Sequence, residues 1–318
     1  MSDYVEHNSV FTRFEVGQSW AILSPIEQSI KKKIEAVGKP LKDWDIKIYR
    51  GILTGCNEAF IIDGTKKDEL IAKDPKSAEI IRPILRGRDI KRYGYNFADL
   101  WIIATFPSRN YNIDKYPAVK EHLLSFGMER LEQSGKSYII NGKEVTARKK
   151  TNNKWFETQD SIGYWEDFNK QKIIYPDIMR MPRSVDSLTK YPYFYFDKEG
   201  YFVEATNFMM NGNDINVIYS FINSDLGFYI FSKFYSGPQF DNTGFRYKKE
   251  YLQNMFFINI NEDDNKNIAD TISNVNFENY ADIYKYESII NSIFEKYIHL
   301  SEKEKKIVAE YKYCLLHN

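Results

Sequence analysis

The first clear pattern of apolar and polar positions in this chain is that of an amphipathic helix over residues 25–37. Its apolar positions recur every three or four residues, which places them on one face of an α-helix; they are Ile26, Ile30, Ile34 and Val37. Ser24 precedes the pattern as an N-cap, and Glu27 completes a capping box with it. Gly38 follows as a helix stop. The pattern therefore predicts an opening helix.

Shorter apolar runs predict strands in the next hundred residues. "DIKIYRG" and "EAFIID" surround the glycine loop "GILTGCN" (residues 51–57), an order that favours a hairpin-like pair of strands. "DLWIIATF" (residues 99–106) is typical of a buried strand. "PAVKEHLLSFGMERLEQSG" predicts one helix that ends at Gly135.

The second half contains aromatic strands followed by helices. "KIIYPDI", "KYPYFYF" and "YFVEATNF" predict three strands, the last two joined by a hairpin turn at "DKEG". "DINVIYSFINSDLGFYIFSKFY" predicts one or two buried helices. After the polar stretch "NEDDNKN", residues 286–298 follow helical spacing, and a second capping box at "SEKE" opens another helix.

These elements predict an α+β fold, a mixed or antiparallel sheet with flanking helices and a helical C-terminal unit. We expect the boundary near residue 260, so that residues 1–260 form one domain and residues 261–318 the helical unit. With 43% hydrophobic and 16% aromatic residues the chain is that of a folded protein and not of a disordered one. Two cysteines, Cys56 and Cys314, are too few for a disulfide framework.

Composition also bears on location and partners. No apolar run reaches membrane-spanning length and the N-terminus lacks a signal-peptide layout, so we expect a cytoplasmic protein without a membrane partner. The 44 basic and 44 acidic residues cancel, but unevenly along the chain. Residues 136–190 contain eleven basic and seven acidic residues, whereas residues 261–318 contain seven basic and eleven acidic ones. This predicts a localised basic face and an acidic tail.

No catalytic motif is apparent in the sequence. The "PD" at Pro176 and Asp177 has no Glu-x-Lys at useful spacing, and the four histidines are scattered. "GILTG" has neither dinucleotide nor P-loop spacing, and the chain lacks the Pro-Pro pair of an amino-methyltransferase motif. We therefore predict no catalytic residue, metal or cofactor in this chain. A nuclease with an unrecognised metal site around Asp177 and Glu204 is the alternative from the enzyme class.

Basic residues interleaved with aromatic and small polar ones are the remaining candidate chemistry. Lys and Arg neutralise phosphates, and Arg and Asn also hydrogen-bond to purine edges in the major groove. The predicted phosphate contacts lie in "RGRDIKRY" and are Arg86, Arg88, Lys91 and Arg92. The predicted base contacts are Lys149, Lys150, Asn152, Asn153, Arg180, Arg183 and Arg246. For each cluster alone, a solvated charged loop is the simpler interpretation.

Two further motifs connect these clusters to a known family. "GILTGCNEAF" follows the pattern G-x-x-T-G-x-N-x-A-F, and "PILRGRDI" follows Pro-hydrophobic-Leu-x-Gly-x-Asp-Ile. With "KWFETQ", "KIIYPDI" and "INSDL" in the same order, residues 18–312 resemble the TaqI-like C-terminal specificity domain. This is the target-recognition part of type IIG restriction–modification enzymes and related adenine-specific DNA methyltransferases.

The resemblance implies sequence-specific binding of double-stranded DNA, with catalysis supplied elsewhere. Complete enzymes of this kind carry endonuclease and methyltransferase domains ahead of the matching region, so the chain is expected to be a free-standing specificity subunit or a piece of a longer enzyme. S-adenosylmethionine and Mg²⁺ are then expected in the methyltransferase or endonuclease partner. Thr54 and Asn57 match the glycine loop, where they would approach DNA; the alternative is a tight turn. Gly87 and Asp89 match the second motif in an architectural role.

The sequence thus leaves three hypotheses. The first is a specificity domain or subunit that positions a separate methyltransferase or endonuclease, with the acidic C-terminal helices either docking that partner or packing on the fold. The second is the nuclease described above. The third is a protein-interaction adaptor that does not bind DNA, which the zero net charge favours.

Overall fold

The computed structural model describes residues 23–181, 190–238 and 244–315, and these form two compact units. The central unit consists of Lys47–Asp177 and Tyr193–Asn211, and the other described residues make up the terminal unit. The terminal unit includes described residues on both sides of residue 260. The domain boundary expected near residue 260 stays a prediction from the sequence.

The elements are numbered in chain order. The α-helices are α1 (Pro25–Val37), α2 (Asn57–Phe60), α3 (Gly64–Lys73), α4 (Pro117–Leu124), α5 (Met128–Leu131), α6 (Ile215–Asn223), α7 (Asp225–Ile230), α8 (Lys249–Asn254), α9 (Glu262–Asn274), α10 (Tyr280–Ile298) and α11 (Glu302–Cys314). Short 3₁₀ turns occur at Leu41–Asp43, Pro75–Glu79, Gly87–Asp89, Pro107–Arg109, Ile113–Lys115 and Trp165–Asn169, and a π-helical turn at Phe231–Tyr235.

The strands are mostly short. They are β1 (Gly38–Pro40), β2 (Ile46–Arg50), β3 (Ile61–Asp63), β4 (Ile81–Leu85), β5 (Ile90–Lys91), β6 (Gly94–Tyr95), β7 (Leu100–Ile103), β8 (Ser137–Ile140), β9 (Lys143–Thr146), β10 (Lys172–Pro176), β11 (Ile178–Arg180), β12 (Tyr195–Asp197), β13 (Phe202–Val203), β14 (Asn207–Gly212), β15 (Gly244–Arg246) and β16 (Phe256–Ile258). Helices and antiparallel or mixed sheets thus coexist, which confirms the predicted α+β class.

Two four-stranded sheets form the centre of the central unit. One has the strand order β12-β10-β14-β2, and β10 is antiparallel to both of its neighbours. The other has the order β13-β4-β7-β3, in which β13 and β4 are parallel and the remaining pairs antiparallel. Two-stranded ladders β5-β6 and β8-β9 lie outside these sheets.

The mixed sheet is buried on both faces, as the alternation of side chains along β7 shows. Ile102 packs into a cluster with Ile174 and Met209 of the other sheet, whereas the adjacent Ile103 packs with Leu70 and Val119 of helices α3 and α4. Because successive side chains of a strand point to opposite faces, a run of apolar residues is what such a strand requires. The buried strand predicted for residues 99–106 is confirmed.

The terminal unit is mainly helical. Helix α1 begins as predicted, with a capping box between Ser24 and Glu27. In the C-terminal part, Phe221 of α6 packs against Phe257 and Phe294, with ring centroids 5.2 and 4.9 Å away. Helices α10 and α11 are the two helices that the apolar spacing and the second capping box predict. The described part of the chain contains no helix long and apolar enough to span a membrane.

Three local predictions are wrong. Strands β2 and β3 lie in different sheets, so the glycine loop is not a hairpin tip, and Asn57–Phe60 is helical. β12 pairs with β10 while β13 pairs with β4, so "DKEG" does not close a hairpin. The single helix predicted to end at Gly135 is two helices, because Gly127 adopts φ +86° between α4 and α5. In the first two cases strand pairing between distant segments overrides the local sequence signal, and in the third case one backbone angle does so.

Candidate nucleic-acid interface

The glycine loop, residues 51–57, is a tight turn held by its own polar groups. Thr54 is buried; its hydroxyl donates to Asn57 Oδ1 at 2.6 Å and accepts from Cys56 N at 3.1 Å. Gly55 has φ +78°, a conformation that glycine adopts without strain. The loop is therefore a tight turn, and DNA contact at Thr54 and Asn57 stays a prediction. Of the two predicted contact residues here, Asn57 is exposed.

Arg148 fixes this loop to the following basic segment from inside the protein. It is only 2% exposed, and its guanidinium donates to four backbone carbonyls. The acceptors are Leu131 O (2.7 Å), Thr54 O (2.8 Å), Glu157 O (2.7 Å) and Trp155 O (2.6 Å). Burial lowers the pKa of Arg148 to about 10, so the side chain remains charged at neutral pH. This arginine is a structural anchor.

The basic loop, residues 149–154, is held at both ends and exposed in between. Gln133 accepts from Thr151 Oγ1 at 2.7 Å and donates to Glu157 O at 3.1 Å. Asn153 Nδ2 donates to Gln159 O at 2.9 Å, so this predicted base contact is engaged in positioning the loop. The exposed residues are Lys149, Lys150, Asn152 and Lys154. A loop whose backbone is already fixed and whose lysines are exposed can bind a polyanion with little further loss of conformational freedom.

The arginine segment, residues 86–92, divides its charges between structure and solvent. Arg86 makes a bidentate pair with the buried carboxylate of Asp89, at 3.0 Å from Nε and 2.9 Å from Nη2. The Arg92 guanidinium lies 4.8 Å from the Tyr93 ring centroid and donates to its hydroxyl at 2.8 Å. Arg88 and Lys91 are exposed, and Lys91 Nζ donates to Arg88 O at 2.8 Å. The two exposed side chains are the better placed for phosphate.

Hydrogen bonds make these three segments neighbours within the central unit. Arg148 connects the glycine loop to the basic loop, as described above. Gly51 N donates to Asn207 O at 2.8 Å and Ile52 N to Val203 O at 2.7 Å, which joins the glycine loop to residues 203–207. Gly87 N in turn donates to Thr206 Oγ1 at 3.2 Å. Segments far apart in the sequence therefore form one connected region.

The remaining candidates lie elsewhere. Arg180 and Arg246 belong to the terminal unit, on the paired strands β11 and β15, where Ile178 is opposite Arg246. Arg183 lies outside the described residues. These arginines stay predictions from the sequence.

The acidic residues of the alternative nuclease hypothesis both contact Thr206. Its amide and hydroxyl donate to Glu204 Oε2 at 3.0 and 2.5 Å, and Asp177 N donates to Thr206 O at 3.0 Å. Glu204 thereby caps a turn between β13 and β14. Within residues 23–181, 190–238 and 244–315, no group of three or more His, Cys, Asp or Glu side chains is placed to hold a metal ion.

Two features of this region were missed from the sequence. Arg148 is not among the residues predicted from the sequence, because nothing local distinguishes a buried arginine from an exposed one. The antiparallel hairpin β8-β9 was also missed, although its signal was present. Asn141-Gly142 between "SYII" and "KEVT" is the dipeptide that two-residue hairpin turns favour.

Comparisons with known proteins show which solved structures have a similar fold. No family model matches the chain, and the curated proteins contain no match. Among solved structures, the chain is similar to part of the type IIL restriction–modification enzyme MmeI in complex with DNA, with a TM-score of 0.55 and 12% identity over 89% of this chain. The type IIG restriction endonuclease BpuSI also matches, with a TM-score of 0.47 and 11% identity over 86% of this chain.

The likeness to MmeI shows the fold. This chain has the fold of a part of a restriction–modification enzyme, which confirms the coarser expectation from the sequence. It spans 37% of the length of the MmeI chain and 33% of the BpuSI chain. Membership of the TaqI-like specificity family stays a prediction that rests on the motifs alone.

Proposed function

We propose that this chain binds double-stranded DNA as the specificity domain or subunit of a restriction–modification system. It would position a separate methyltransferase or endonuclease, which would use S-adenosylmethionine and Mg²⁺. The observation that carries the proposal is the connected basic region of the central unit, in which exposed Lys149, Lys150 and Arg88 stand on loops fixed by buried hydrogen bonds. The fold supports it, since MmeI has that fold and was solved in complex with DNA.

The electrostatics of this region agree with such a role. Exposed lysines that contact phosphates release counterions from the duplex, which supplies affinity without regard to sequence. Sequence preference then requires side chains that contact base edges. Asn57 and Asn152 are exposed and carry amide groups of the type that pairs with adenine. The zero net charge of the chain does not oppose this role, because the charge is distributed unevenly.

The acidic C-terminal helices have a packing role, and we propose docking of the catalytic partner as a second one. Tyr286 and Phe294 of α10 are buried, and Tyr286 OH lies 2.9 Å from Ser220 Oγ. On the solvent side, Tyr280 and Tyr284 are exposed one helical turn apart. An exposed aromatic pair of this kind is a typical anchor for a partner protein.

The test of DNA binding is the salt dependence of a lysine variant. Lys149→Ala/Lys150→Ala should weaken binding to every duplex, and the slope of log K against log salt concentration should fall by about 2, or about 0.9 for each lost phosphate contact. Fluorescence anisotropy with two unrelated duplexes measures both quantities. The matched control is Lys303→Ala/Lys306→Ala, which removes the same charge from exposed positions of α11. Equal slopes for the two variants would refute the proposed interface.

A further inference from the structure

The hairpin β8-β9 stands outside the two main sheets of the central unit. Its register pairs Ser137 with Thr146 and Ile140 with Lys143. The turn residues Asn141 and Gly142 have φ +50° and +74°, the left-handed pair that matches the twist of a two-residue hairpin. A Cβ at Gly142 would have no atom within 4 Å, so the tip is open to solvent.

The two faces of the hairpin differ sharply in exposure. Tyr138, Ile140 and Val145 on one face are half-buried. The opposite face is exposed over its whole length and consists of Ser137, Ile139, Glu144 and Thr146. Ile139 is 75% exposed and stands directly opposite Glu144. A two-stranded ribbon is only marginally stable on its own in water. An exposed β-branched apolar residue adds nothing to that stability, because it removes no apolar surface from water. This face therefore has the character of a contact surface.

Contacts at the base of the hairpin fix its direction. Ala147 N donates to Lys136 O at 2.9 Å, which continues the ladder beyond β8 and β9. Arg130 Nη1 donates to Thr146 O at 3.4 Å, and Tyr138 OH is hydrogen-bonded to Glu132. The strand β9 then leads directly into the anchor residue Arg148. The ribbon and the basic loop thus share one rigid support.

We propose that this hairpin enters the major groove of duplex DNA and that its exposed face contacts base edges; this deepens the proposed function and rests on it. A four-residue strand is about 13 Å long, more than the roughly 8.5 Å depth of the groove. The groove is about 12 Å wide and admits a two-stranded ribbon. On the exposed face, Ile139 offers an apolar contact of the kind made with the thymine methyl group. Glu144 offers an acceptor for the cytosine amino group.

The charges around the ribbon favour DNA over a protein as the occupant. Four exposed lysines surround it: Lys136 at the base, Lys143 beside the tip, and Lys149 and Lys150 just beyond β9. Glu144 is the one acidic residue between positions 136 and 150, and it lies on the ribbon face rather than among the flanking lysines. Lys143 pairs with Ile140 and so belongs to the other face of the ribbon; the phosphate contacts beside the base-contacting face would come from Lys136, Lys149 and Lys150.

The experiment is selection from a randomised duplex pool with the full chain and with Ile139→Ala/Glu144→Ala. Both positions are exposed, so the variant should keep the wild-type Tm; Glu144→Gln alone is the milder second variant. We expect discrimination at one or two positions of the selected site to fall about tenfold or more, while affinity for unselected DNA changes less than threefold. Val37→Ala, which shortens an exposed apolar side chain (39% accessible) at the end of α1, should leave the selected site unchanged.

The outcomes separate the two proposals. A wild-type chain that selects a motif and variants that select the same motif equally sharply would overturn the hairpin inference and leave DNA binding intact. A wild-type chain that binds no duplex, or binds without selecting a motif, would overturn the proposed function and the inference together. Loss of preference at particular positions in both hairpin variants supports the inference.

Discussion

The arginines of the central unit differ in what surrounds each guanidinium group. Arg148 donates to four carbonyls in the interior, and Arg86 is paired bidentately with the buried Asp89. Arg88, two residues after Arg86, is exposed. In the sequence all three lie in similarly polar, basic stretches. Because burial is decided by contacts with distant segments, residue type and local spacing do not separate a structural arginine from one that contacts a ligand.

This distinction makes a prediction for two neighbouring substitutions. Arg86→Ala should lower the free energy of unfolding by about 2 kcal/mol, because the buried Asp89 carboxylate loses two charged hydrogen bonds. Arg88→Ala should change that free energy by less than about 0.5 kcal/mol, since the side chain is exposed. It should instead weaken DNA binding and lower the salt slope by about 0.9. Urea denaturation and anisotropy titration measure the two effects.

The opposite result for either variant would contradict the role assigned to that arginine. If Arg88→Ala binds DNA as tightly as the wild type at low salt, Arg88 is not a phosphate contact. If Arg86→Ala is as stable as the wild type, the pair with Asp89 does not hold the turn.

Among the secondary-structure elements, the sequence predicts best those whose signals are local. The capping boxes at Ser24 and Ser301 begin helices α1 and α11 as expected, because a cap is made within four residues of chain. The pairing of β2 and β3 was predicted wrongly, since partners in a sheet are selected by packing across the whole unit. For the candidate site, the basic loops were predictable from composition, whereas the Arg148 anchor that connects them was not.

The second capping box predicts a measurable pH dependence. Glu304 is buried, which by itself raises its pKa, but hydrogen bonds from Lys33, Ser29 and Ser301 outweigh burial and lower the pKa to about 2. In the unfolded chain the same group titrates near 4.5. Between these pH values the unfolded state binds more protons, so the stabilisation is full above about pH 5 and is lost as pH falls toward 2.

Glu304→Gln should therefore be less stable than the wild type by about 2 kcal/mol at pH 7, with the difference shrinking below about pH 4. Denaturation with urea between pH 2 and pH 7 measures it. Glu302→Gln is the control, because Glu302 is 91% exposed in its pair with Lys305 and should contribute less than about 0.5 kcal/mol. A difference that stays constant over the whole pH range would contradict the assignment to Glu304.

For the whole molecule, the α+β class and the restriction–modification fold were accessible from the sequence, the first through periodicity and the second through the motifs in residues 51–60 and 83–90. Contacts between distant segments were not. Helix α1 is separated from α11 by more than 260 residues, yet Ser29 Oγ donates to Glu304 Oε1 at 2.7 Å. Such a contact leaves no local signal in the sequence.

For the whole molecule, the proposed role is sequence-specific binding of duplex DNA. It is tested by selection of the full chain against a randomised duplex pool at two salt concentrations, followed by sequencing. We expect enrichment of one short motif, with affinity that falls steeply as salt rises. Absence of binding at both salt concentrations would refute the proposed role and favour a protein-interaction adaptor.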